Sequence, residues 1–259
     1  MNSEREFNGD WALILGGSSG LGLATAKKLA SHGMNICIVH RDRKSNLPKF
    51  NSDVSEMIVH GVEVLSFNVD AIKSESIDSV VSALSNKSIK LVVHSIAKGS
   101  VKPMHPAENA LAKIDFDITT TAMGTSWYIW TQALIKNKLF SIKARNIGFT
   151  SEGNTRVWKG YGAVSVAKAT LEALMRQMAV EFAPLDITTN CIQAGATRTP
   201  SFDMIPQSDE LAKLATHRNP FGRLTKPEDV ANAVYLLCKK EADWINGTIL
   251  KVDGGESLR

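Results

Sequence analysis

With 259 residues, 44% of them hydrophobic and 22% charged, the chain is long enough for one large α/β domain with a sizeable buried core. Its net charge of +4 is thinly spread, and the densest cluster, "HRDRK" from His40 to Lys44, is too short for a nucleic-acid-binding tail. No uninterrupted apolar run reaches the ~18 residues that a membrane span needs, so neither a nucleic acid nor a membrane is expected as partner.

The N-terminal "MNSEREFNGD" is polar and acidic, unlike a secretory or transit peptide, and a cytoplasmic location is expected. From there, short apolar runs alternate with amphipathic stretches. "WALILGG" reads as a first strand and "GLATAKKLASHG" as a helix closed by Gly33. "NICIVHR" is the second strand, and "VEVLSFNVD" the third, followed by a helix near "SESIDSVVSALSN". "IKLVVHSIA", "RNIGFTSE" and "DITTNCIQAG" are the fourth to sixth strands, and "GTILKVDGG" is the last. Strands this apolar, separated by helices, indicate a mostly parallel sheet covered on both faces. One Rossmann-type, doubly wound α/β domain over residues 1–259 accounts for the pattern. Cys37, Cys191 and Cys238 lie within apolar segments without metal-ligand spacing, which predicts buried free thiols and no metal site.

Two stretches break the rhythm. "KGSVKPMHPAENALAKIDFDIT" carries two prolines ahead of its helical part, and residues near 197–220 insert "TPSFDMIPQSDELAKLATHRNPFGRL" after the sixth strand, with a helix in "SDELAKLATHR". Ligands of open α/β sheets bind beyond the carboxyl ends of the strands. The insertion therefore reads either as a substrate lid or as a surface helix.

"LGGSSGLG", Leu15 to Gly22, follows a strand and opens a helix. Such a turn needs residues without a Cβ where the backbone bends toward a diphosphate, and the helix N-terminus offers it free N–H groups. The glycines are Gly16, Gly20 and Gly22, with Ser18, Ser19 and Leu21 between them. At the end of the second strand a carboxylate would accept from ribose hydroxyls and repel a 2′-phosphate. Here His40 and Arg41 stand there, followed by Asp42, and the Arg41 fork suits a phosphate. NADPH is expected as cofactor in preference to NADH.

The G-x-x-x-G-x-G spacing resembles that of the short-chain dehydrogenases/reductases. The resemblance extends through "FNVD", "HSIAKG" and the C-terminal "PFGRLTKPEDVANAVYLLCKKEADWINGTILKVDGG". It implies adenine contacts at Asn68 and Val69, a cofactor-facing turn at Ser95, Ile96 and Ala97, further cofactor contacts at Gly195 and Thr197, and a contact from Thr199 to the nicotinamide carboxamide.

In "YGAVSVAK" Tyr161 and Lys168 are seven residues apart, and Val164 stands where a four-residue spacing would put a tyrosine. On a continuous helix a seven-residue step returns to within roughly 20° of the same face, so both spacings are geometrically workable. The Y-x6-K pattern resembles the divergent branch of the family that contains the enoyl-acyl-carrier-protein reductases. "VHSIA", Ala194 in "QAGATRT" and the asparagine-free "DITTTAMGTSWYIW" resemble that branch too. The resemblance implies reduction of an enoyl thioester, on acyl carrier protein, with Tyr161 stabilising the enolate oxygen. Lys168 would hold the ribose and lower the tyrosine's pKa. Ser151 takes the place of an additional tyrosine of those enzymes and also of the carbonyl reducers' serine; it either donates to substrate or caps the strand end. The alternatives are a carbonyl reductase using Ser151 and Tyr161, or a catalytically silent cofactor-binding protein. The family habit of pairing the helix that carries the catalytic residues implies a homotetramer; the apolar face Leu171, Leu174, Met175 and Met178 fits either such pairing or the core of a monomer.

Overall fold

In the computed structural model, which describes residues 6, 7 and 9–259, the seven apolar runs are the seven strands of one sheet. They are β1 (Asp10–Leu15), β2 (Asn35–His40), β3 (Val64–Asn68), β4 (Ser88–His94), β5 (Phe140–Ser151), β6 (Ile187–Ala194) and β7 (Ile249–Val252). The order is β3-β2-β1-β4-β5-β6-β7, with every pairing parallel. Both faces are covered because side chains alternate along each strand. Ala12, Ile14, Ile36 and Ile38 enter one core, against α1 (Gly20–Ser31), α2 (Leu47–Ile58) and α9 (Pro227–Cys238). Leu13, Leu15, Cys37 and Val39 enter the other, against α3 (Ser74–Ala83) and Trp130 and Leu134 of α5 (Ser126–Lys136). The helices in question downstream are α4 (Lys113–Thr120), α5 (Ser126–Lys136), α6 (Gly162–Glu181), α7 (Pro200–Asp203), α8 (Ser208–Arg218) and α9 (Pro227–Cys238).

Helix α2 has no counterpart among the elements read from sequence. Phe50, Val54 and Met57 anchor it in the core at steps of four and three, an apolar stripe of clear helical periodicity opposite a polar face, so the helix was open to reading and was passed over. Helices α4 and α5 run into one another through a π-helical turn at Thr121–Thr125. Gly124 in that turn lets α6 come close, since a Cβ there would lie 3.2 Å from the Ala167 carbonyl oxygen. Helix α8 spans the stretch "SDELAKLATHR".

Cys37, Cys191 and Cys238 are buried free thiols. The face proposed for pairing between copies is in fact core: Leu171, Met175 and Met178 are buried with Trp127 and Cys191, and Leu174 packs against them. A helix lying on a sheet needs an apolar stripe of its own, and that stripe is what the periodicity detects. The exposed large apolar residues of α6 are Val166 and Val180. Among the described residues, no helix is long and apolar enough to cross a membrane, and no group of three or more His, Cys, Asp or Glu side chains is placed to hold a metal ion.

Candidate active site

The sheet order reverses between β1 and β4, so the loops leaving their carboxyl ends diverge and open a cleft of about 590 Å³. Three glycines shape its floor for different reasons. Gly16 has φ +86°, and a Cβ there would lie 2.6 Å from the Ser95 carbonyl oxygen, so the first turn crosses the β4 turn with no room for a side chain. Gly20 has φ +54° and faces Thr199, whose Cγ2 would be 3.0 Å from an added Cβ. Gly22 lies outside the cleft wall and packs on the turn itself, its would-be Cβ 2.3 Å from the Gly16 carbonyl oxygen. No side chain caps α1 and no acid stands in its first turn, which leaves its N–H groups and positive end turned to the cleft beside Ser18, Ser19, Gly20 and Leu21. Val69, Ser95, Ile96 and Ala97 form the facing wall, and Gly195, Thr197 and Thr199 close the far side. Thr199 also caps α7, accepting from Phe202 N at 3.2 Å. A floor that excludes any Cβ beneath an uncapped helix N-terminus fits the diphosphate of a dinucleotide.

The second strand's end sorts its charges. Arg41 lines the cleft, whereas Asp42 turns back, its Oδ2 2.7 Å from Nδ1 of buried His40. Asn68 is outside the cleft wall: its Oδ1 accepts from Asp42 N at 2.9 Å and its Nδ2 donates to Asp42 O at 3.1 Å. It pins the turn after β2, and the side chain the sequence assigned to adenine is spent on backbone. The sequence reading missed Asp70 and Lys98, both in the cleft wall beside Arg41.

Ser151, Tyr161 and Lys168 converge on the other half of the cleft. Tyr161 is not on the helix as expected but is the residue before it, with φ −97° and ψ 6°, and α6 starts at Gly162. Its ring lies against Gly153, where an added Cβ would be 2.3 Å from Cε1 and 3.3 Å from Ser151 Oγ. The serine and the tyrosine therefore flank the same glycine. Ser151 also caps the turn after β5, its Oγ accepting from Gly153 N at 3.3 Å. Burial pushes the Tyr161 phenol up, with the Ser151 hydroxyl pulling against it. The expected lowering by Lys168 is not seen, and the phenol is a protonated donor at neutral pH. Lys168 is buried and donates to the Phe149 carbonyl at 2.6 Å. Burial pushes its ammonium down to about 8, against the upward pull of Cys191 and Glu172. Val164 also lines the cleft, so the helix face that a four-residue spacing would use is present but carries no hydroxyl.

Glu172, one turn beyond Lys168, was missed although the four-residue step puts it on the same helix face. It is buried, and its two oxygens accept from Thr150 Oγ1 and Asn154 Nδ2, each at 2.6 Å. This carboxylate clamps both sides of the Ser151–Gly153 turn. Buried His94, at the end of β4, lies 2.8 Å through Nε2 from Ser126 Oγ; burial first, then the Lys168 charge, push it down to about 3, so it is neutral.

Apolar side chains line the cleft beyond Tyr161: Val101, Met123 from the π turn, Trp158, Phe202, Ile205 and Leu211. The last three come from the insertion. It is tied down by Arg218 at the end of α8, which reaches Glu152 at 2.5 Å and Glu256 at 2.8 Å, and by Trp158 Nε1 donating to Pro206 O at 3.3 Å.

A phosphate cradle at a sheet switch point, joined to a buried lysine and a donor phenol, defines an NAD(P)-dependent oxidoreductase of the Rossmann type. Residues 16–257 match the family model described as enoyl-(acyl carrier protein) reductase, and the chain belongs to the short-chain dehydrogenase/reductase family. It is 28% identical to the (2S)-[(R)-hydroxy(phenyl)methyl]succinyl-CoA dehydrogenase subunit of Thauera aromatica, over 95% of this chain and 96% of that protein. It is 27% identical to 3beta-hydroxysteroid dehydrogenase 1 of Eggerthella lenta, over 98% of this chain and 95% of that protein. Among solved structures, a short chain dehydrogenase from Burkholderia cenocepacia in complex with NADP is similar at a TM-score of 0.84 and 25% identity, covering 97% of this chain and 99% of that one.

Proposed function

We propose that the protein reduces the carbon–carbon double bond of an α,β-unsaturated acyl thioester, with NADPH as reductant and acyl carrier protein as the carrier. The observation that carries this reading is the position of the phenol. Tyr161 precedes α6 and lies over Gly153, while the position four residues before Lys168 is an apolar valine in the same cleft. The reduced nicotinamide supplies a hydride. In enoyl reduction it arrives at Cβ, two carbons from the thioester carbonyl carbon, so the oxygen that gains charge is displaced from the hydride acceptor. A phenol displaced toward the helix start meets that oxygen. Tyr161 donates a hydrogen bond from its hydroxyl to the enolate oxygen, and Cα then takes a proton that comes ultimately from solvent to give the saturated thioester. Lys168, anchored on Phe149 O, would hold the nicotinamide ribose. Gly16 and Gly20 accommodate the diphosphate, Arg41 the 2′-phosphate, and Thr199 the carboxamide. The apolar wall receives the acyl chain under the insertion, which acts as its lid.

Carbonyl reduction is the competing reading. It is favoured by Ser151 beside Tyr161, since two hydroxyls flanking one point also suit a ketone oxygen, and several relatives are named as dehydrogenases. Matched 2-enoyl and 3-oxoacyl thioesters of one chain length, each assayed with NADPH, separate the two. Our reading expects kcat/KM at least about tenfold higher for the enoyl substrate. Faster turnover of the 3-oxoacyl thioester overturns it.

A further inference from the structure

We infer that Asp70 and Lys98 are specificity residues for the cofactor: Lys98 is a second cation for the 2′-phosphate, and Asp70 is an internal competitor that holds the phosphate's place in the free protein. The inference rests on the NADPH reading above and extends it to two residues outside the family's recognition motif at the end of β2.

The geometry is a convergence on one atom. Arg41 Nη1 lies 2.7 Å from Asp70 Oδ2, and Lys98 Nζ lies 3.5 Å from the same oxygen. Arg41 leaves the end of β2, Asp70 follows β3 and Lys98 follows β4, so three separate loops bring these charges together at the cleft wall. The other oxygen, Oδ1, accepts from Ile72 N at 3.3 Å, which fixes the carboxylate's orientation and leaves Oδ2 directed at the cations. Burial pushes the Asp70 carboxyl up, but the Ile72 N–H, Lys98 and Arg41 outweigh it and keep it ionised. Arg41 and Lys98 are both substantially exposed, so they are free to turn from Asp70 to an incoming anion. Their alternative ally, Asp42, is already engaged with His40.

One anionic oxygen between two flexible cations marks a site built for an anion. The three side chains carry a net charge of +1. A 2′-phosphate would take both cations and add its own charge beside a carboxylate fixed at about hydrogen-bond distance, so Asp70 opposes the phosphate it stands in for. A ribose 2′-hydroxyl carries no such charge and meets no such opposition. Asp70 therefore narrows the preference for NADPH over NADH, and Lys98 widens it.

The test uses binding alone. The full-length protein and the variants Lys98→Met and Asp70→Asn are titrated calorimetrically with adenosine 2′,5′-bisphosphate and with adenosine 5′-monophosphate, which differ only in the 2′-phosphate. Methionine keeps the apolar stem of Lys98, and asparagine keeps the acceptor for Ile72 N, so neither disturbs the fold. Because both cations are solvent-exposed, the expected effects are modest. Lys98→Met should weaken the bisphosphate about three- to tenfold, and Asp70→Asn should tighten it by a similar factor. The monophosphate should stay within about twofold in both. Equal weakening of both ligands by Lys98→Met, or no weakening of either, overturns the role of Lys98. Unchanged or weaker bisphosphate binding in Asp70→Asn overturns the role of Asp70. Wild-type protein that fails to prefer the bisphosphate removes the NADPH reading itself, a different outcome from a retained preference that these two variants leave unmoved.

Discussion

Replacing Gly153 with alanine would put a methyl carbon 2.3 Å from Cε1 and 2.8 Å from Cδ1 of Tyr161. Carbon atoms in contact settle at about 3.5–4.0 Å, so something must shift by more than about 1 Å. The Gly153 backbone is held by the Ser151 cap and by the Glu172 clamp on Thr150 and Asn154, and no left-handed φ forbids alanine there. The phenol ring is the part free to move. A misplacement of that size costs up to about 10²-fold in rate when it displaces a catalytic group. The variant should lose about 10- to 100-fold in kcat/KM for a 2-enoyl thioester while its NADPH affinity stays within about twofold. If displacement of the hydroxyl is the cause, Gly153→Ala combined with Tyr161→Phe should be no worse than Tyr161→Phe alone. Wild-type kcat/KM in Gly153→Ala, or additive losses in the double variant, would refute the placement of Tyr161 over this glycine as the source of its catalytic position.

Lys168 titrates at about 8 in the folded protein against an ordinary 10.5, so kcat/KM should be level below pH 8 and fall above it; a profile still rising at pH 9 contradicts a working ammonium. The same shift means that the unfolded chain binds more protons between about pH 8 and 10.5, so stability gains from Lys168 as pH rises through that window. Lys168→Met should remove that part of the slope in denaturant titrations at several pH values. Amide exchange should show residues 201–218 opening faster than the sheet without ligand and gaining protection with cofactor and an acyl analogue; equal protection in both states rejects a moving lid. The family resemblance, rather than the buried stripe of Leu171, Met175 and Met178, implies a homotetramer in sedimentation at micromolar concentration, and a 28.2 kDa particle excludes it.

All seven strands were legible in the sequence. Strands β1, β2 and β4 are buried on both faces and leave nearly continuous apolar runs, while the half-exposed edge strands β3 and β7 are short apolar runs bounded by turns. Helix α2 was equally open to reading, since Phe50, Val54 and Met57 stand at helical steps on one face, but it was passed over. The phosphate turn was legible through its glycines, although Gly16 and Gly22 turn out to be required by close backbone contacts rather than by the ligand alone. Spacing could not distinguish a tyrosine on a helix from one just before it, nor an asparagine facing adenine from one bound to Asp42 backbone. Those are matters of side-chain direction. Asp70 and Lys98 were hidden for a related reason, since each acts through partners far away in sequence, whereas Glu172 was open to reading from its four-residue step beyond Lys168.

The seven-residue spacing is the central claim, and moving the phenol tests it most directly. Tyr161→Phe combined with Val164→Tyr places the hydroxyl four residues before Lys168, on a side chain that already faces the cleft. Steady-state rates for the 2-enoyl thioester would be measured for wild type, Tyr161→Phe and this double variant. Tyr161→Phe should lose up to about 10²-fold in kcat, and the relocated tyrosine should not restore it, because it stands on α6 one helical turn from Lys168 rather than over Gly153. Full recovery of enoyl reduction by the double variant would contradict the account.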